Sequence, residues 1–167
     1  MLEKLATSSV ISEVYITLAV VIAISIFSAT IFGSLQRVAD AEREKTVDLK
    51  RKLGTNVEVV FAAQYNATAV KVWIKNTGVE SIRPSLISSN SDLFFGPQGL
   101  FTRISYNSTS PPTWLYILVN DMDNDSVWDS SETIEITLNN GSILQHGDYY
   151  IRYVTYNGVY SEYTFTI

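Results

Sequence analysis

Between Glu13 and Arg37 the chain carries no ionised side chain. This run, SEVYITLAVVIAISIFSATIFGSLQR (residues 12–37), constrains the fold more than any other feature. As a helix rising about 1.5 Å per residue it measures roughly 35 Å, enough to cross a hydrocarbon layer of about 30 Å with some tilt. A secretory signal core is shorter, about 7–15 residues, and precedes a small-residue cleavage site. Here the sequence runs on into QRVADAEREKTVDLKRKL without one. The Val, Ile, Leu and Phe side chains of the run favour insertion by about 3–6 kcal/mol in sum. A core helix of a soluble protein would carry a polar face, which this run lacks. Small residues recur along it: Ser25, Ala29 and Gly33 at every fourth position, and Ala19 with Ala23. Such spacing lets a second helix approach closely, so neighbouring hydrophobic helices, including copies of this chain, join membrane lipid as expected partners.

From residue 36 to 53 the sequence is charged and free of Gly and Pro. Asp40 with Arg43, Glu42 with Lys45, and Asp48 with Arg51 stand at i,i+3 spacing, which supports an exposed helix by a few tenths of a kcal/mol per pair. The simplest reading is one helix from about Ser9 to Leu53, ended by Gly54. Two domains follow: residues 1–54, an apolar helix with a charged extension, and residues 55–167, a β head.

The head alternates β-branched and aromatic residues with polar ones, the period of a strand. NVEVVFA, TAVKVWIK, WLYILVN, TIEITL, GDYYIRYVTY and GVYSEYTFTI all read this way. Asn157-Gly158 between two runs predicts a hairpin with a type I′ turn, and Asn140-Gly141 a weaker second one. The fold class expected is therefore an all-β head on a long N-terminal α-helix, the head being an antiparallel β-sandwich of seven or eight strands with an immunoglobulin-like arrangement.

One stretch of the head suits chemistry. DMDNDSVWDSSE, residues 121–132, places acidic residues at positions 1, 3, 5, 9 and 12 of a calcium-loop pattern. Asp121, Asp123, Asp125 and Asp129 would give carboxylate oxygens, Val127 its carbonyl, and Glu132 both oxygens, with Ca2+ as the one cofactor expected. Ser126 stands where such loops have Gly, and the flanks read as strands, so this is not an EF-hand. Against the metal stands a plain solvated acidic turn.

Catalysis finds no support in the sequence. His146 is the single histidine, cysteine is absent, and no pair of nucleophile and base is apparent. A tethered hydrolase would need an acid pair, which only residues 121–132 could supply. A net charge of −5 disfavours nucleic acid as a partner.

Two signals conflict over the side of the membrane. Arg37, Arg43, Lys45, Lys50, Arg51 and Lys52 flank the span downstream against Lys4 upstream, which taken alone puts the head in the cytoplasm. Four N-glycosylation sequons, at Asn66, Asn107, Asn124 and Asn140, and a Tyr-, Thr- and Asn-rich composition put it outside. The expectation adopted is an extracellular head, with the charge rule standing against it.

SSVISEVYITLAVVIAISIFSATIFG at the start, VKVWIKNTG in the second strand, WDSSETIEITL and the closing YNGVYSEYTFTI together resemble the archaellum accessory proteins of the FlaG branch, with FlaF as near relative. The resemblance implies a stator-type structural protein of the archaeal flagellum, anchored by one N-terminal helix, with an archaellin-like head between membrane and surface layer. It further implies a FlaF-like accessory partner, contact through it with the surface layer of the archaeal cell, and self-assembly. Archaellins and pilins carry a basic residue and Gly where a peptidase cuts before the helix; here Lys4 precedes Leu5, which fits an uncut anchor. The alternative is an archaellin- or pilin-like filament subunit.

Overall fold

The structure is a computed structural model that describes the backbone of residues 2–167 and the side chains of residues 11–167. The Lys4-Leu5 leader lies outside the described side chains. Two compact units are present, Met1–Asp48 and Leu49–Ile167.

The first unit consists of most of α1, a helix over Leu2–Gly54. Its apolar segment has a mean hydropathy of 2.4 and none of it is buried. Three of its hydroxyls turn back on their own helix: Thr17 donates to the Glu13 carbonyl at 2.9 Å, Ser25 to Val21 at 2.8 Å, and Thr30 to Ile26 at 2.8 Å. Each of these three bonds satisfies its hydroxyl without water, as a lipid-exposed helix requires. None of the three i,i+3 charge pairs on the extension closes to an ion pair among the described residues. Fixing two long exposed side chains costs about as much as such a pair returns in water.

The second unit is a head of eight strands: β1 (Val57–Asn66), β2 (Ala69–Asn76), β3 (Asp92–Pro97), β4 (Thr102–Tyr106), β5 (Thr113–Leu118), β6 (Thr133–Asn139), β7 (Asp148–Val154) and β8 (Tyr160–Thr166), with a short helix α2 (Pro84–Asn90) after β2. The sheet runs β1-β2-β6-β5-β4-β3-β7-β8. The all-β head on a helix stands as expected, with one departure: the two layers are joined by a parallel contact, β4 to β5, through Ser105↔Thr113 and Tyr106↔Trp114. The other neighbours are antiparallel. The sheet nearly closes on itself, the Val59 amide donating to the Ser161 hydroxyl of β8 at 2.9 Å.

Alternation decides the core. Val70, Val72 and Ile74 of β2 lie opposite Leu138, Ile136 and Ile134 of β6, all fully buried. Leu93 and Phe95 of β3 and Tyr149, Ile151 and Tyr153 of β7 meet them, with Trp114 and Trp128 filling the centre. The β7–β8 hairpin forms, but its loop spans five residues and only Gly158 there takes a positive φ, +82°. The type I′ turn is thus corrected: Thr155 uses its hydroxyl on the Val159 carbonyl at 2.7 Å, widening the turn. Asn140-Gly141, by contrast, makes no hairpin, since β6 and β7 are not neighbours and the chain crosses between layers there.

Tyr153 is fully buried, its ring edge-on to Trp114 and Trp128, and its hydroxyl has no hydrogen-bond partner. Burial pushes the phenol well above its ordinary value, opposed by Ser91 beside it. A raised folded pKa means that the unfolded chain loses this proton first, so stability is intact below about pH 10 and falls as pH rises beyond it. Tyr153→Phe is expected to raise stability by about 1 kcal/mol at neutral pH and to lessen the alkaline loss. Denaturant titrations at pH 7 and about pH 11 would measure both.

Candidate functional site

The sequence-predicted helix-packing residues and metal ligands fall in two places. Ala19, Ala23, Ser25, Ala29 and Gly33 lie on α1, where Ala19, Ala23, Ser25 and Ala29 are exposed and Gly33 is half-exposed. At about 100° per residue they share an arc of roughly 160°, interleaved with Leu18, Ile22 and Ile26. A Cβ at Gly33 would meet nothing. The Ser25 hydroxyl is already spent on its own helix.

The acidic loop joins β5 to β6 and is pinned from beneath. Trp128, fully buried, donates its indole N–H to the Glu132 carbonyl at 3.0 Å, and its backbone exchanges two hydrogen bonds with Ile82, each 3.0 Å. The loop then folds around its own carboxylates. Asp121 accepts from the amides of Asp125 at 3.2 Å and Ser126 at 3.0 Å, and Asp125 accepts from Val127 at 2.7 Å. The carboxylate of Glu132, a residue 3% exposed, accepts from the Met122 amide at 3.0 Å and the Asp129 amide at 2.9 Å. Asn124 and Ser126 take φ values of +59° and +64°. Ser126 therefore adopts the left-handed turn that a calcium loop needs at its sixth position, at the steric cost of a β-carbon.

The carboxylates gather as two triads sharing one residue. Oxygens of Asp121, Asp123 and Glu132 lie within 4.8 Å of one another, as do those of Asp123, Asp125 and Asp129. Partial desolvation, and next the charge of Asp125, raise the Asp123 carboxyl above its ordinary value. Chemically the loop offers hard oxygen ligands around Asp123, with Glu132 held from below.

The sequons sit at or beside turns. Asn66, Asn107 and Asn124 are exposed, whereas Asn140 is half-buried and donates its amide N–H to the Ser142 carbonyl at 3.2 Å. His146 is exposed, its Nδ1 3.1 Å from the Ile167 carbonyl oxygen, and faces no nucleophile.

A second network was legible only as a quoted motif. In Lys75-Asn76-Thr77-Gly78, the Asn76 side chain is fully buried and donates to the carbonyls of Glu80 at 2.9 Å and Trp128 at 3.0 Å, while its oxygen accepts from the Gly78 amide at 3.0 Å. Around Gly78 the chain presses on the end of α1: a Cβ there would lie 2.4 Å from both the Asn56 nitrogen and the Gly54 oxygen. The amides of Val79 and Glu80 take the Gly54 carbonyl at 2.8 and 3.2 Å, and Thr55 caps the Arg51 carbonyl with its amide at 2.9 Å and its hydroxyl at 2.8 Å. The helix end is thus satisfied by head residues, not by a left-handed glycine at Gly54. One asparagine ties the acidic loop to the Glu80 turn, and the Val79 and Glu80 amides of that turn hold the end of α1.

This combination of an apolar helix, a helix-end seat built from K-N-T-G, and an eight-strand head matches a known family along almost its whole length. The model of archaeal-type flagellin covers residues 7–165. The chain belongs to the archaeal-type flagellin family. A protein of Archaeoglobus fulgidus is 26% identical over 155 residues, which span 90% of this chain and 93% of that protein. Among solved structures, the archaellum periplasmic stator protein FlaG from Sulfolobus acidocaldarius superposes with a TM-score of 0.57 at 26% identity, covering 66% of this chain and 99% of that one. The complex of the stator proteins FlaF and FlaG from the same organism gives 0.56 at 25% identity, with 65% and 87% covered. Within the archaeal-type flagellin family this chain is therefore similar to FlaG, as its motifs indicate.

Proposed function

We propose that this chain is a membrane-anchored structural component of an archaellum, a stator-type protein of the FlaG kind whose head lies outside the membrane. The observation that carries this reading is the likeness to the FlaG structure, 99% of which is matched. The apolar part of α1 is the anchor, long enough to span and with the hydroxyls of Thr17, Ser25 and Thr30 turned back on the helix. A FlaF-like protein is the partner, by analogy with the FlaF and FlaG complex, and the head links the machinery to it or to the surface layer. Asn66 and Asn107 would carry glycans on an outside head, and Asn124 only in molecules whose acidic loop holds no ion.

The second reading, a filament subunit, is favoured by the match to archaeal-type flagellin. N-terminal sequencing of protein from native cells separates the two. A start at Met1 or Leu2 supports the anchored protein, and a start between Ala6 and Ser9 supports a processed subunit.

We also propose that the acidic loop binds calcium around Asp123 and Glu132, and that the small face of α1 associates with a second copy. Calcium at about 100 times its Kd is expected to add about 2.7 kcal/mol to the stability of the full chain in detergent, seen as a rise in melting temperature. Asp123→Ala should remove that rise; an unresponsive wild-type chain at millimolar calcium would eliminate the metal. A glycan at Asn124 would exclude the ion, so one molecule carries one or the other. Ala29→Phe is expected to reduce oligomer size in detergent by light scattering, and an unchanged size would remove the helix interface.

A further inference from the structure

A cavity of about 370 Å³ opens in the head between the last turn of α1, the Glu80–Leu86 segment and the β7–β8 loop, lined by Arg51, Glu80, Ser81, Arg83, Leu86 and Tyr156. Its polar side chains are idle. Among the described residues the side chains of Arg51, Glu80, Ser81, Arg83 and Tyr156 make no hydrogen bond and no ion pair. The other two arginines of this unit are both engaged, Arg103 by Asp92 and Arg152 by Glu162. The arginines left free are thus the two that share a cavity.

We propose that this cavity binds a carboxylate-bearing segment of another polypeptide. Two guanidiniums give the lining a net positive charge and present planar forks that match a carboxylate, while repelling a metal cation. The volume falls in the range of a small-ligand pocket, more than one inorganic anion fills. Leu86 and the Tyr156 ring form an apolar wall for the stem of an acidic side chain. Glu80 sets one negative charge against the two guanidiniums, which weakens the hold on an acidic side chain while the lining keeps its net positive sign. The site recognises such a segment whichever assembly the head belongs to.

The test is calorimetric titration of the full chain in detergent with a capped tetraglutamate peptide, and separately with inorganic phosphate. The peptide is expected to bind, and more tightly than phosphate. Combining Arg51→Gln with Arg83→Gln should weaken it by about tenfold or more, the loss of charge-assisted hydrogen bonds. Glu80→Gln should tighten it, a gain that a misfolded variant cannot produce, and Lys75→Gln, on the outer sheet face, should leave it unchanged. No peptide binding at millimolar concentration overturns the proposal. So does binding indifferent to the two arginines, equal weakening by Lys75→Gln, or phosphate binding as tightly as the peptide.

Discussion

Trp128→Ala is expected to lower the stability of the head by about 3–5 kcal/mol, the cost of deleting a buried aromatic side chain in a core that relaxes only in part. The indole is fully buried, stands 6.1 Å from the Tyr153 ring, and donates to the Glu132 carbonyl at 3.0 Å. The loss should be double, in packing and in the anchorage of the acidic loop. Trp128→Phe restores most of the packing but not the N–H, and should cost about 1–2 kcal/mol, near the value of one buried hydrogen bond. Denaturant midpoints at unchanged slope would measure both; a loss under about 1 kcal/mol for the alanine variant would mean that the loop is not fixed through this ring.

The second large effect is expected at Asn76. Truncation to alanine removes three hydrogen bonds in a site closed to water, leaving the Glu80 carbonyl without its side-chain donor. The Gly78 amide and the Trp128 carbonyl keep one partner each, from Asn56 and Ile82. The expected cost is about 2–3 kcal/mol, chiefly from the buried carbonyl left unpaired. It should be accompanied by faster hydrogen exchange at Val79 and Glu80, whose amides hold the end of α1. Thr77→Ala, at an exposed neighbour, is expected to stay within about 0.5 kcal/mol. Equal losses at the two positions would show that the motif acts through strand propensity and not through the buried amide.

The sequence made α1 and six strands legible because their patterns are local: an uncharged run, and alternation in TAVKVWIK or TIEITL that matches the buried faces of β2 and β6. β3 and β4 escaped it. DLFFGP ends in Gly96-Pro97, which reads as a turn, and the five residues of β4 are too few for a period to emerge. α2, PSLISSN, is rich in residues that favour loops, and forms with Pro84 in its first turn and Ile87 buried. The parallel β4–β5 contact joins residues by topology, which no alternation encodes.

The candidate sites divide likewise. Carboxylate spacing in residues 121–132 announced a gathering of oxygens, and two triads about Asp123 are what the chain builds. That Ser126 reaches the left-handed turn depends on the Asp121 carboxylate accepting its amide, a contact that spacing alone does not encode. The Arg51 and Arg83 cavity draws on residues up to about a hundred positions apart, so it exists only once β7 and β8 have folded against the end of α1.

The central claim is that the apolar part of α1 holds the chain in the membrane with its head on the outer side. Protease treatment of intact cells, followed by immunodetection of both ends of the chain, tests it most directly. The head is expected to be digested while the apolar segment is protected. Survival of the whole chain in intact cells, with digestion only after lysis, would contradict it and place the head in the cytoplasm, as the basic flank from Arg37 to Lys52 demands.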